Sequence, residues 1–520
     1  LAETDTTADP SRPGGPYAWY VLSVLVLVYV LNFIDRQIIS ILANDIKRDL
    51  DLTDADLGFL YGTAFGVFYS LFGIPLGKLA DNWNRVRLLT VGLGLWSAMT
   101  ALSGFAKTGG MLAAARVGVG VGEATASPSA YSLISDWFPK KQRATALAVY
   151  SSGLYLGGGL SLLIGGAIVE RWNHVYPGGG PMGLVGWQAA FLAVGIPGLL
   201  VALWVATLRE PIRGQADGIV TPSDPRPFRS FFDELLTVIP PLTLIGATRR
   251  GPAALAINLA AAALVALAAW ALIAATGTAL QWIAVGIGVY AVISWATGLR
   301  TRDPATFQLI WGTPAFLCTT LGYGLIAFQS YAVSFWAAPF AEEMFDIGKS
   351  EAGFWVGGPG ALAGFLGVIA GGRLADYARQ RNPAGRILVV AGAPLLAAPF
   401  VVLGFTTDSA TIFYAAHFMA AIFTSAALGG AAATTQDLVL PRMRGVATAT
   451  FFLATTLVGL SLGPYMAGYV STLTGDRSIG IMSILVVTPI SLALLIAAYR
   501  QLPAAEATVV DRARAAGEKV

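Results

Sequence analysis

Residues 58–81 read GFLYGTAFGVFYSLFGIPLGKLAD, and residues 353–376 read GFWVGGPGALAGFLGVIAGGRLAD. Gly58, Phe59, Gly62, Gly77, Leu79, Ala80 and Asp81 of the first stretch are matched without a gap by Gly353, Phe354, Gly357, Gly372, Leu374, Ala375 and Asp376 of the second. Two copies of one apolar helix, each ending in the same charged turn, imply two related membrane bundles. That is the build of a protein that opens alternately to either side.

Hydrophobic residues make up 55% of the chain and charged residues 12%. No soluble partition into core and surface could use that balance, so the sequence reads as a polytopic membrane protein. Cys318 is the lone cysteine and there are two histidines, which excludes a disulfide framework or zinc cluster and, with them, redox and metal chemistry. No cofactor is expected. The polar opening segment, residues 1–16, lacks the basic region and cleavage site of a signal peptide. Leu1 in place of an initiator methionine is expected of a processed or trimmed chain.

Apolar stretches long enough to span, about 20 residues each, lie near 18–42, 55–79, 86–106, 111–137, 142–170 and 186–208, and again near 312–340, 353–375, 386–405, 409–439, 444–472 and 479–499. Between the two sets, 253–275 and 280–299 read as an inserted transmembrane hairpin; a re-entrant or membrane-surface pair is the alternative. The expected organisation is an all-α membrane protein with a tail at 1–17, a six-helix bundle at 18–208, a linker at 209–252, the hairpin at 253–299, a second six-helix bundle at 300–500 and a tail at 501–520. Within the linker, Phe228, Phe231, Phe232, Leu235 and Leu236 recur at helical spacing, as in a short helix lying in the inner interface.

Basic residues set the orientation. With the N-terminus inside, Arg85 and Arg87, the cluster Lys140, Lys141 and Arg143, and the arginines at 209–229, 249–250, 300–302, 373–386 and 442–444 all fall in cytoplasmic turns, whereas outer turns hold few. Both termini are therefore expected in the cytoplasm, and the basic residues carry topology rather than nucleic-acid contacts.

Asp35, Arg36, Arg116 and Glu123 are ionisable groups in otherwise apolar helices. Each charge near the membrane centre costs about 2.5–3.5 kcal/mol by insertion scales, so each needs a partner, an aqueous cavity, or both. At 1.5 Å per residue, Asp35 lies about 26 Å from the inner start of helix 1 and Arg116 about 8 Å from the outer start of helix 4, so the two share a depth in a core about 30 Å thick. Arg116 and Glu123, nearly two turns apart, share a face, and Gly118, Gly120 and Gly122 admit a close neighbour. Asp35 and Glu123 are expected to compete for Arg116, with proton transfer coupled to rearrangement. A permanent cluster that only orients helices is the alternative. Arg36, one step around from Asp35, is expected to face a different helix or to snorkel.

In the second half, the first and fourth helices bring His417, Gln329, Tyr331, Thr434, Thr435 and Gln436 among phenylalanines, a candidate lining for an amphipathic solute. At the inner helix ends, Asp81 with Arg85 and Arg87, and Asp376 with Arg373, Arg379 and Arg386, are candidate gating charges, making bonds that exist in one state and break in the other. The glycines at 153–166 lack the following Lys and Ser or Thr of a phosphate loop, so direct ATP use is not expected.

GKLADNWNRVR at 77–87 resembles the inner-loop signature of the major facilitator superfamily, and RVGVGVGEA at 116–124 its helix-4 signature. More narrowly, NFIDR at 32–36, RVGVGVGEA at 116–124 and SLISDWFPKKQRATAL at 132–147 are similar to the spinster family of lipid transporters, and TQDLVLPRMRGVATA at 435–449 extends the likeness into the second half. The resemblance implies the major facilitator fold and a proton-coupled secondary transporter moving lysophospholipids or sphingosine-1-phosphate-like lipids by alternating access. Asp35 then matches the family's helix-1 acid, Arg116 its helix-4 basic residue and Glu123 its nearby acid, with a phosphate-bearing head group at Arg116. The inserted hairpin departs from the usual twelve-helix pattern. A monomeric bacterial inner-membrane protein is expected, with membrane lipids around it and no nucleic acid or obligate protein partner. The alternatives are a proton-coupled exporter of hydrophobic drugs or small organic anions, and a passive lipid scramblase. An enzyme acting on lipid would need a nucleophile, base or metal cluster near the interface, and none is apparent.

Overall fold

The chain's long apolar runs become helices because backbone groups in hydrocarbon can only bond within their own segment. The computed structural model describes residues 13–217 and 225–518. Residues 1–12, 218–224 and 519–520, parts of the expected tails and linker, lie outside the described residues. No strand occurs among those described.

The first half comprises α1 (Pro16–Leu50), α2 (Asp54–Asn82), α3 (Arg85–Ser103), α4 (Gly109–Glu123 continued by Ala126–Trp137), α5 (Lys140–Val175) and α6 (Gly186–Val205). Two short helices follow, α7 (Pro227–Val238) and α8 (Leu242–Arg250), bent 97° to each other. The hairpin is α9 (Pro252–Thr276) and α10 (Ala279–Arg302). The second half comprises α11 (Pro314–Phe345), α12 (Lys349–Arg381), α13 (Gly385–Thr406), α14 (Ala410–Asp437), α15 (Pro441–Thr474) and α16 (Arg477–Ala507). A short α17 (Val509–Ala515) then buries Val509 and Ala513. Thirteen of these helices are long and apolar enough to cross a membrane. The remaining one of the two sets of six, α4, carries Arg116 and Glu123 and packs inside the first half on α2 and α3.

α4 breaks at Ala124 and Thr125. Pro128 explains the position: its ring lacks an N–H and crowds the carbonyl four residues back, at Ala124. Glu123 is thus the last residue of a helical segment. Above the break, close approach needs the absence of side chains. A Cβ on Gly120 would lie 2.5 Å from the Phe65 carbonyl of α2, and one on Gly122 would lie 2.7 Å from the Trp96 nitrogen of α3.

The repeat seen in the sequence is also a repeat of contacts. α2 and α12 each carry a wide π turn just after their first α-helical turn, Phe59–Thr63 and Gly353–Gly357. The matched glycines sit where the halves meet. A Cβ on Gly62 would come within 2.3 Å of the Leu460 carbonyl of α15, and one on Gly357 within 2.7 Å of the Gly159 carbonyl of α5. Gly58 and Gly353 touch the same two partners, at 2.5 Å from the Pro464 carbonyl and 2.4 Å from the Leu162 carbonyl.

Polar bonds reinforce this end, the one opposite the arginine-rich turns. Ser40 donates to the Phe335 carbonyl at 2.6 Å and Thr63 to the Ser461 carbonyl at 2.6 Å. Arg477 pairs with Asp54 at 3.1 Å, and Lys349 reaches Asp45 at 3.4 Å. At the arginine-rich end, these pairs each stay within one half: Arg85 with Asp136 and with Glu210, Arg386 with Asp376 and Asp437, and Arg379 with Glu506. The halves are therefore zipped at one end.

Gly62→Val and Gly357→Val, which place side chains against backbone that cannot yield, are expected to keep the zipped end open. In a Cys318→Ser background, a cysteine at Ser40 should gain reactivity toward a water-soluble maleimide in both variants. Unchanged reactivity would mean that backbone approach does not hold that end shut.

Candidate functional site

α1 presents two different faces to two different environments. Towards α4 it carries Asp35 and Arg36, which are 2% and 8% exposed, against Arg116 and Glu123, which are wholly buried. Towards the space between the halves it carries Phe33 and Gln37.

The ionic cluster is wired differently from the competition for Arg116 expected above. Glu123 accepts from Arg36, with Nη2 to Oε2 at 2.7 Å and Nε to Oε2 at 3.3 Å. Arg116 instead donates Nη1 to the backbone carbonyl of Asp35 at 3.1 Å, and its Nε and Nη2 have no hydrogen-bond partner in the protein. The depth argument for Arg116 and Asp35 matches this contact. What it missed is that a step of 100° around α1 still leaves Arg36, with its long side chain, in reach of α4. Aromatic rings complete its seat: the Arg36 guanidinium lies 4.7 Å from the centroids of Phe33 and Phe65 and 5.0 Å from Tyr69. The Phe65 centroid also lies 5.3 Å from the Arg116 guanidinium, so both cations share one ring. Rings at these distances attract a cation and replace part of its lost hydration. Trp96 and Thr100 of α3 face the Asp35 carboxyl, and Asn32 faces Glu123.

Between the halves lies a cavity of about 260 Å³. It brings together Gln329, Tyr331 and His417 of the residues singled out from the sequence. It does not include Arg116, Glu123, Thr434 or Gln436. Arg116 and Glu123 face the interior of the first half. Thr434 is buried and donates to the Gly430 carbonyl at 2.8 Å, and Gln436 donates to Thr448 at 2.8 Å near the arginine-rich end. Sequence reading passed over Gln37, Tyr155, Ser330 and Ser334, which do line the cavity. The signal available was helical spacing: Gln37 follows Phe33 by four residues, and Ser330 and Ser334 repeat the same interval on α11.

The cavity has wet and oily parts and none of its lining side chains is charged. Gln329 spends its amide on Thr488 at 2.6 Å, while Gln37 accepts from Tyr61 at 2.6 Å and reaches Ser334 at 3.4 Å across the halves. His417 is buried on the cavity wall, its Nδ1 without a hydrogen-bond partner in the protein. Phe33, Ile326, Val356, Val368 and Val401 supply apolar surface.

The two candidate gates are not equivalent. Arg85, fully buried, bridges Asp136 and Glu210, and Arg87 is exposed behind the Asn84 cap. Asp81 is exposed and faces Lys78, Arg213 and Arg85 without bonding to them. Its counterpart Asp376 does accept from Arg386, at 2.8 Å, and Arg379 binds Glu506 at 2.6 Å. Nearby, Arg442 clasps Asp303 and Glu518, and the hydrogen bonds it donates hold the Asp303 carboxyl down at about 2.

The profile described as the Major Facilitator Superfamily matches residues 25–348. An MFS-type efflux pump of Mycolicibacterium smegmatis is 27% identical over 90% of this chain and 88% of its own length. Protein spinster of Drosophila melanogaster is 30% identical over 40% of this chain and 33% of that protein. Among solved structures, a bacterial homolog to the human lysosomal transporter Spinster, in an inward-facing and occupied conformation, superposes with a TM-score of 0.66 at 26% identity, covering 97% of each chain. With two six-helix halves, an inserted hairpin and spinster-like similarity in both sequence and structure, the chain belongs to the Major Facilitator Superfamily and is a membrane transport protein rather than an enzyme.

Proposed function

We propose that this protein is a proton-coupled secondary transporter of amphipathic lipids, lysophospholipid or sphingosine-1-phosphate-like, working by alternating access in a bacterial inner membrane with both termini cytoplasmic. The observation that carries the reading is the cavity between the halves, where amide, hydroxyl and imidazole groups share a wall with aliphatic and aromatic ones. Such a lining suits a molecule with a polar head and an oily tail. The arginine-rich end is read as cytoplasmic, so the zipped end faces outward and the conformation is inward-facing, like that of the spinster homolog.

In this reading the proton site and the substrate site are separate and share one turn of α1. Protonating Glu123 removes the charge that holds Arg36. Arg36 then loses its anchor while Phe33 and Gln37, on the same turn, touch the solute. Gln37 in turn bonds Tyr61, which stacks on Phe335 of the other half at 4.4 Å. Proton and solute therefore act on one set of contacts between the halves, which is the minimum that coupling requires. Asp35 and Arg116 keep their assigned place as partners in proton transfer, and Asp81 is the gating acid that bonds in the opposite state. Gln329, Tyr331 and His417 are the substrate contacts this lining favours.

Export of hydrophobic drugs is the second reading, favoured by the whole-length likeness to an efflux pump and by the uncharged lining. Flux into liposomes of lysophospholipid, sphingosine phosphate, an uncharged hydrophobic dye and a short-chain organic anion, each with and without a proton gradient, separates the readings. The lipids should be concentrated by the gradient, and Glu123→Gln should leave their flux indifferent to it. Gradient-driven movement of the dye alone would assign the protein to drug export, and gradient-independent lipid leakage would make it a scramblase.

The pair itself is testable by stability. Removing one member of a buried pair leaves an uncompensated charge and costs about 3–5 kcal/mol. Arg36→Met and Glu123→Met should each lower the unfolding midpoint in detergent, and the double variant should recover part of the loss. Fully additive effects would show that Arg36 and Glu123 do not act as a pair.

A further inference from the structure

The inserted hairpin is not spread evenly over the body. α9 buries Asn258 alone along its length, whereas α10 buries one whole face, from Gln281 through Gly288, Ala291 and Trp295 to Leu299. That face lies over the seam where α2 of the first half meets α15 of the second. A Cβ on Gly288 would lie 2.9 Å from Leu457 of α15 and 3.4 Å from Val67 of α2, so the backbone of α10 rests on both halves at one point. Ala291 and Trp295 share a single apolar core with Val67 and Leu71 on one side and Leu453 and Leu457 on the other. At the zipped end Gln281 donates to the Ser461 carbonyl at 3.3 Å, the same carbonyl that Thr63 of α2 bonds at 2.6 Å. Thr278 and Tyr465 hydroxyls meet at 2.6 Å, fixing the hairpin tip to α15. At the opposite end Arg302 binds Glu234 of α7 at 2.8 Å, and α7 lies on α2 with the Phe228 ring tilted against that of Trp83, centroids 5.3 Å apart. The hairpin is thus pinned to the second half at its tip and, through α7, to the first half at its base.

The other seam, between α5 and α12, has no such cover among the described residues. There the cavity wall reaches Tyr155 and Gly158 of α5 and Ala361, Gly364 and Val368 of α12. The outward neighbours Leu156, Leu362 and Phe365 are 51%, 53% and 44% exposed.

We propose that the hairpin seals the α2–α15 seam against lipid, so that an acyl tail passes between membrane and cavity only at the α5–α12 seam. The tail's path runs along the open surface of Gly158 and past Tyr155, whose ring lies against Gly364 across the seam and must swing aside, to Val368. The second part of the inference rests on the lipid reading above; the seal itself does not.

The test uses the full chain in vesicles containing a photoreactive lysophospholipid with a diazirine in its acyl chain, and maps adducts by mass spectrometry. Adducts are expected on Tyr155 and Val368 and on the cavity wall near His417, and none on Val67, Leu71, Leu453 or Leu457. Gly288→Trp and Trp295→Ala, which lift or hollow the hairpin face, should make adducts appear at those four residues. Adducts there in the unaltered chain would overturn the seal, as would their absence from both variants when these remain monodisperse. Labelling near His417 without labelling at Tyr155 or Val368 would overturn the assigned side. A protected α2–α15 seam with no adducts near His417 would uphold the seal and instead sink the lipid reading.

Discussion

The architecture depends on backbone touching backbone between the halves. Gly62 against the Leu460 carbonyl and Gly357 against that of Gly159 are contacts that no side chain permits. In a membrane there is no hydrophobic gain from bringing two helices together, so association falls to close packing and polar bonds. Those matched glycines provide the packing, and Ser40, Thr63, Arg477 and Lys349 provide the bonds. An interface of this kind suits a carrier because it gathers a few close backbone approaches and polar bonds at one end. The matched glycines nearer the arginine-rich end, Gly77 and Gly372, would carry a Cβ into open space. The same helix therefore has one end spent on the zipped interface and the other free for its counterpart.

The second constraint is electrostatic. Asp35, Arg36, Arg116 and Glu123 lie together within the first half, and their burial is sustained by pairing Arg36 with Glu123 and by placing both guanidinium groups over Phe65. The cavity, by contrast, has no charged lining. A carrier whose substrate sat directly on its proton-binding acid would make the two ligands compete for one carboxylate. Here the ionisable cluster and the cavity lie on different faces of α1, so under the proposed function the two ligands do not compete for one carboxylate. Gln37, bonded to Tyr61 of α2 and within reach of Ser334 of α11, links the two halves at the cavity.

Much of this was legible in the chain. The gapless repeat gave the two bundles, and apolar run lengths gave the hairpin. Charge cost in hydrocarbon singled out Asp35, Arg36, Arg116 and Glu123. The wiring among them was not legible, because depth along a helix follows from counting residues whereas partner choice depends on side-chain length and on aromatic neighbours such as Phe65, which no spacing rule brings to Arg36. Thr434 and Gln436 show a related limit. Both lie on α14 with His417, but polarity on an interior helix marks hydrogen bonding in general, and these two satisfy it with Gly430 and Thr448. The packing of α10 was hidden for a different reason: its buried residues are mostly glycine, alanine and serine, with Gln281, Tyr290, Trp295 and Leu299 among them, a mixture that hydropathy scarcely distinguishes from a lipid-facing helix.

The inner ends of the two halves show how far a repeat can diverge while keeping its mechanics. Arg85 with Asp136 and Arg386 with Asp437 are the same pairing, each joining residues 51 apart in the chain. Around that shared pair the halves differ. In the second, Arg386 also holds Asp376, so the acid ending the repeated helix is already engaged. In the first, Arg85 turns instead to Glu210 and the Pro211 carbonyl at the start of the linker, leaving Asp81 unbonded. A symmetric machine would release both acids together. This one holds one acid and leaves the other available, and the occupied arginine sits beside the linker that leads to the hairpin. Under the proposed gating role, the carboxylate free to take a new partner is therefore the one in the first half, Asp81, while Asp376 of the second is already engaged.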